Sequence, residues 1–183
     1  RHDYFPHTRP LGFYCVRLAT RRTLLLAVPA VYSAAHVDRI APFVGWARDQ
    51  GIYVILAMHE NAYLRYIPRP AKATLPGAKL PSLADQTGAP KWATLTDGLP
   101  GDKYLGQREI SLSVGAAFTN FWFDAKVGGV GLQEHYFGAV ATLARRFRDE
   151  SAVVGFGAFN APWPGFVAAP ASADLPIYPF YRR

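Results

Sequence analysis

Residues 51–61 read GIYVILAMHEN. The unbroken apolar run Ile52–Ala57 leaves no room for the in–out alternation of a half-buried strand. It is the pattern of a strand covered on both faces, as in a parallel sheet. Gly51 stands where a left-handed helix cap belongs. The segment before it supplies the helix: over 35–50, Val37, Ile40, Ala41, Val44 and Ala47 recur at spacings of three and four and draw one apolar stripe. The run ends in a polar group, His59–Glu60–Asn61.

Working outward, GFYCVRL at 12–18 and VVGFGA at 153–158 read as two further buried strands. Helical spacing returns over 111–125, with Val114, Phe118, Phe121 and Trp122 on one face. It is clearer over 133–149, where Tyr136, Phe137, Val140, Leu143, Ala144 and Phe147 form the apolar side and the arginines face away. Between them, 62–110 is rich in Pro, Gly, Lys and Thr and keeps no period. It reads as a long loop insertion, the kind that serves as a lid or a partner-binding segment. The Pro- and Ala-rich tail 162–183 reads as irregular. Strands alternating with helices predict right-handed crossovers and a parallel sheet in a single domain, 1–183. In such folds function collects past the C-terminal strand ends. Two groups stand there: His59–Glu60–Asn61, and Asn160–Ala161–Pro162–Trp163.

The chain has 183 residues, half of them hydrophobic and 18% charged, with a formal net charge of +7. That balance excludes a disordered polyelectrolyte. The lone cysteine, Cys15, excludes an internal disulfide framework and a cysteine zinc site, and its apolar surroundings predict a small core residue. No stretch reaches the ~18 apolar residues of a membrane span; Leu24–Val31 is short and holds Pro29. No signal-peptide pattern is present, and a chain that opens on Arg1 is expected to be processed or partial. Localisation is left open. Arg21–Arg22, Arg145–Arg146–Phe147–Arg148 and Arg182–Arg183 are basic clusters, and a pI near 9.7 permits a nucleic-acid or anionic-surface partner. The same clusters fit a solvated helix face.

His59 could hydrogen-bond a substrate at the strand end or be tied into the rim by backbone. Glu60 could act as acid or base, or pair with Arg65. Asn160 could donate to a sugar hydroxyl or cap a turn. Trp163 could stack on a sugar or simply pack. His2, His7, His36 and His135 read as terminal or helix-start residues. With no His-x-x-x-His or His-Glu-x-x-His pair, neither a metal nor a cofactor is expected. Gly128–Gly129–Val130–Gly131 lacks the preceding strand of a phosphate loop, and no Gly-x-Ser-x-Gly elbow occurs.

The stretch DRIAPFVGWARDQGIYVILAMHENAYLRY, ending at Tyr66, resembles the endoglycoceramidase branch of glycoside hydrolase family 5. There the pattern runs Gly-Ile-Tyr-Val-Leu-Leu-Asp-Met-His-Gln-Asp, then Tyr-Ser-Arg-Tyr. The likeness continues through GAPKWATLTDG (88–98), AAFTNFWFD (116–124), GLQEHYFGAVATLARRF (131–147) and VVGFGAFNAPWPG (153–165). It covers about 11–165. It implies a (β/α)8 barrel, of which this chain would hold about strands two to four, an incomplete α/β TIM-barrel. It also implies a retaining mechanism with two glutamates, acting on the bond between a glycan and ceramide. By the same resemblance His59 is the substrate-site histidine, Asn160 holds the sugar 2-hydroxyl, and Tyr63, Arg65 and Tyr66 belong to the substrate loop.

The departures carry as much chemistry. The acid/base position of the Asn-Glu-Pro motif is Ala161. Ala57 replaces an Asp, Glu60–Asn61 replaces Gln-Asp, and Thr20–Ala30 lacks the usual Trp and Glu-Pro. The nucleophile position lies beyond the matched region. Retaining hydrolysis needs two carboxyl groups about 5–5.5 Å apart, and Ala supplies neither, so no catalytic residue is intact and the chain is expected to be inactive. Its partners would be a glycolipid or oligosaccharide. Alternatively it is a hydrolase-like structural subunit, met by protein subunits that complete the barrel in a larger assembly, which nucleic acid could join through the arginine clusters.

Overall fold

A computed structural model describes residues 10–67, 87–105, 107–167 and 174–183. In chain order the elements are β1 (Cys15–Thr20), α1 (Arg22–Leu25), α2 (Ala34–Asp38), α3 (Ala41–Asp49), β2 (Tyr53–Met58), α4 (Leu112–Trp122), β3 (Lys126–Val127), β4 (Val130–Gly131), α5 (Leu132–Phe147), β5 (Val153–Gly157) and α6 (Asp174–Tyr181). Short 3₁₀ turns occupy Asn61–Tyr66, Lys91–Ala93 and Gly165–Val167.

The sheet is parallel, in the order β1-β2-β5. β1 and β2 run in step from Cys15 opposite Tyr53 to Thr20 opposite Met58. An irregularity between Val54 and Ile55 shifts the register against β5. The layering is a partial barrel: strands inside, helices on one face. Against that face Val54, Leu56 and Met58 pack with Val44, Ala47, Val114, Phe118, Phe121, Leu132, Tyr136, Leu143 and Phe147.

The other face is open, which corrects the expectation of strands buried on both sides. Cys15, Arg17 and Ala19 are exposed, as are Tyr53, Val154 and Phe156. Cys15 is therefore not a core residue. A three-stranded parallel sheet with helices on one side has no layer to cover its other face.

The helix expected over 35–50 is two helices. Pro42 lacks the N–H that would have bonded the Asp38 carbonyl, and its fixed φ suits the first turn of a new helix, so α2 ends at Asp38 and α3 starts at Ala41. Ser33 caps α2 by accepting from the His36 N–H at 3.2 Å. At the end of α3, Gly51 has φ +66°, its N–H bonds Arg48 O at 2.8 Å, and Ile52 N–H bonds Ala47 O at 2.8 Å. This paired closure turns the chain directly into β2. Ser111 caps α4, accepting from Val114 N–H at 3.4 Å. Gly128 and Gly129, with φ +62° and +84°, make the tight turn of the β3–β4 hairpin.

The tail is not wholly irregular: α6 sets Phe180 among Phe121, Trp122, Tyr136, Phe137 and Phe159. Of the 62–110 insertion, 68–86 and 106 lie outside the described residues. The described parts hold a 3₁₀ turn at Lys91–Ala93, the rest of the turn that begins at Asn61, and a lone bridge between Tyr104 and Gln107. Gly88 is fixed by a close approach. With φ +118°, a Cβ there would stand 2.5 Å from the Tyr63 Cα. Gly88→Ala is expected to cost about 2–4 kcal/mol by denaturant unfolding.

Candidate functional site

The C-terminal ends of the three strands bring the polar residues together. His59 follows β2, and its N–H bonds Thr20 O at 2.9 Å, which sets it beside Arg21 at the end of β1. Asn160 follows β5. Across the open face Arg17 Nη2 donates to Asn160 Oδ1 at 2.9 Å. This guanidinium takes the amide oxygen, so the donor end of Asn160 is its NH₂ group. Arg17 is a candidate that the sequence reading missed; its signal was a single charge in an otherwise apolar strand.

His59 is half-buried, and its Nδ1 is buried with no hydrogen-bond partner among the described residues. Burial holds its pKa below the usual histidine value, and the nearby Arg17 and Arg21 add to this. The shift favours the neutral ring, which donates from one nitrogen and accepts at the other.

Trp163 is half-buried. Its carbonyl accepts from Trp122 Nε1 at 2.6 Å and its ring sits edge-on to Phe118 at 5.7 Å. Phe166 N–H bonds Thr119 Oγ1 at 2.9 Å, so the segment after β5 is pinned along α4. Trp163 and Phe166, with Tyr104, Ile110 and Leu112, line an apolar cleft of about 340 Å³. Ala161 lies between Asn160 and this cleft in the chain, exposed and left-handed with φ +47°. A Cβ in that region carries a cost of about 1–2 kcal/mol. Ala161→Gly is expected to raise stability by roughly 0.5–1 kcal/mol, read in the same unfolding titration.

Glu60 and Tyr63 face the other way. Glu60 does not pair with Arg65, which lies against its neighbour Tyr66. It is fully buried, with Oε2 3.5 Å from Arg22 Nη1. The same nitrogen donates to the Tyr63 hydroxyl at 3.2 Å, and the Arg22 guanidinium lies 4.9 Å from the Tyr136 ring centre and 5.5 Å from that of Phe121. Arg22 is thus no part of a solvated basic cluster. Burial pushes the Glu60 carboxyl up to about 7, against the pull of Arg22, and it pushes the Tyr63 phenol above the ordinary tyrosine value. Tyr63, named with the substrate residues in the sequence, is wholly buried and rests on Phe118.

The remaining arginines are partly neutralised: Arg146 meets Asp38 at 3.2 Å, Arg148 meets Asp149 at 3.0 Å, and Arg183 meets Asp124 at 3.4 Å. Among the described residues no group of three His, Cys, Asp or Glu converges on a metal position, and no helix is long and apolar enough to cross a membrane.

The family model of cellulases, glycosyl hydrolase family 5, matches residues 2–165. The chain belongs to glycosyl hydrolase family 5. Its architecture is accordingly part of a (β/α)8 barrel, and its solved relatives place it as an endoglycoceramidase-like domain. It is 38% identical to a crystal structure of an endogalactoceramidase, with a TM-score of 0.84, covering 99% of this chain and 38% of that one. It is 34% identical to endo-glycoceramidase II from Rhodococcus sp. in a cellobiose-like imidazole complex, with a TM-score of 0.75, covering 93% of this chain and 36% of that one. Sterylglucosidase 1 of Cryptococcus neoformans shares the fold at 18% identity and a TM-score of 0.66. A search of curated proteins gives no match. The chain spans little more than a third of the length of the family-5 structures it resembles.

Proposed function

We propose that this chain is the sugar-recognising segment of an endoglycoceramidase-like barrel, about strands two to four, in which binding of a glycosphingolipid is kept and hydrolysis is lost. The observation that carries this reading is the rim itself. Arg17, His59 and Asn160 present a polar set at the strand ends, an apolar cleft at Trp163 lies along the same segment, and Ala161 stands at the acid/base position between them.

A glycan joined to a lipid needs both surfaces: hydrogen-bonding groups for hydroxyls and an apolar trough for hydrocarbon. Cleavage needs a proton for the leaving oxygen, and a methyl group has none to give. The open sheet face is then the surface on which the remaining strands of the barrel close.

The test is equilibrium binding of lactosylceramide in detergent micelles to the full-length protein carrying this chain. Binding is expected in the unaltered protein and a loss of about tenfold or more in Asn160→Ala, which removes hydrogen bonds of roughly 1.5 kcal/mol or more. Equal affinity in both proteins would contradict the reading. Failure of the unaltered protein to bind would favour the alternative, in which the domain is a hydrolase-like structural subunit and its open face meets other subunits.

A further inference from the structure

We propose that the buried cluster of Arg22, Glu60, Tyr63 and Tyr136 is a proton-operated latch beneath the rim: with Glu60 protonated it holds the chain ends of β1, β2 and β5 in one arrangement, and ionisation of Glu60 loosens them. The latch stands on the geometry of the cluster; its effect on a ligand rests on the sugar-site reading above. All three strand ends are tied to this cluster. Arg22 stands just past Thr20, the last residue of β1, and Glu60 just past Met58, the last of β2. The Tyr136 hydroxyl, from α5, donates to the carbonyl of Ala158, which follows β5 directly. His59 is thus the chain neighbour of one cluster residue, and Asn160 lies close along the chain to a bond made by another.

The cluster is dry and incompletely paired. Arg22 and Glu60 are both fully buried, 3.5 Å apart, and neither Glu60 oxygen has a hydrogen-bond partner among the described residues; nor do Arg22 Nε and Nη2. A buried carboxylate with one cation and no hydrogen bond is unfavourable. Protonation removes that charge, while Arg22 keeps the Tyr63 hydroxyl and the faces of Tyr136 and Phe121. Burial accordingly lifts the Glu60 carboxyl to about 7. The other ionisable groups around it hold their charge near neutrality. Burial pushes Tyr63 of the 3₁₀ turn, Tyr136 of α5 and Tyr181 of α6 upward, and Arg22 of α1 stays cationic. From α4 come only the rings of Phe118 and Phe121. His59 is held below the usual histidine value. The turn that begins after Glu60 is strained. Tyr63 is left-handed, with φ +53°, and wholly buried, with Gly88 packed closely on its Cα. An ionised Glu60 drawn toward water carries His59 on one side and this turn on the other, and the Tyr63 backbone relaxes.

The test follows the His59 ring by NMR in the full-length protein, labelled at histidine Cε1, as pH is raised from acid to alkaline. Lactosylceramide in detergent micelles is titrated alongside at pH 6.5 and pH 8. The His59 signal is expected to show, besides its own step, a second step centred at about 7. Lactosylceramide should bind at least about fivefold more weakly at pH 8, the low end of coupling between linked sites. In Glu60→Gln, which stays neutral, the second step and the pH dependence of binding should both vanish. A single-step His59 titration in the unaltered protein, or a second step that survives in Glu60→Gln, would overturn the latch. So would a second step with no change in affinity, because His59 would then sense the charge without being moved. If lactosylceramide binds at neither pH, the sugar-site reading fails, and the His59 steps in the two proteins still decide the latch.

Discussion

Arg22→Ala is expected to cost the fold about 3–5 kcal/mol, the largest loss from any single surface-seeming charge in the chain. Its guanidinium is fully buried between the rings of Tyr136 and Phe121 and donates to the Tyr63 hydroxyl. Truncation empties that space, orphans the hydroxyl and leaves Glu60 without its cation. Glu60→Gln runs in the opposite direction. Because burial lifts the Glu60 carboxyl from 4.5 to about 7, the folded chain holds a proton over a range where the unfolded chain has released it. That contribution is fully present below pH 4.5 and is lost as pH rises through about 7. Glutamine is neutral throughout. Unfolding titrations at pH 5 and pH 8 should show the unaltered protein losing stability across the interval, by about 3 kcal/mol at most. Glu60→Gln should flatten this slope and be the more stable form at pH 8. A slope of the opposite sign would mean that Arg22 more than offsets the desolvation of Glu60.

Ala161→Glu carries the largest expected effect on chemistry. A positioned general acid contributes about 10²–10⁴-fold. Release of the glycan from lactosylceramide by the full-length protein is expected to rise by that factor when the carboxyl is restored. The local backbone favours this test: Asn160 is already held by Arg17, and the segment behind it is pinned to α4 through Trp163 and Phe166. The left-handed φ of +47° at Ala161 is a property of the turn, so glutamate meets the same backbone cost as alanine. If the restored protein binds the glycolipid but releases nothing, the loss of function extends beyond this position, and the structural-subunit reading gains.

Much of this architecture was legible from the chain alone. The IYVILA run, the Gly51 cap and the apolar face of 133–149 each appear as elements within a residue or two, because each is dictated locally by periodicity and by the one residue that tolerates positive φ. What failed was anything that depends on a missing neighbour. The apolar strand at 12–18 looks fully buried because its sequence is written for two covered faces; here only one is covered, and Cys15, Arg17 and Ala19 look outward. Arg22 looked like surface because it follows Arg21. Its burial is set by tertiary partners 38 and 41 positions away, Glu60 and Tyr63, which local pattern does not report. The break at Pro42 was readable, and the apolar stripe running through it concealed it. The site was half legible: strand-end position picked out His59 and Asn160, whereas Arg17 emerged only from its bond to Asn160. Trp163 was a candidate from its place after the strand, but the apolar cleft it lines comes from packing on α4, which spacing alone does not encode.

The claim that recognition persists where catalysis does not is tested most directly by one incubation of the full-length protein with lactosylceramide, in which bound glycolipid and released lactose are both quantified. The account predicts saturable binding with release at least about 10²-fold below that of the Ala161→Glu protein. Release at a comparable rate from the unaltered protein, or an absence of binding, would contradict it.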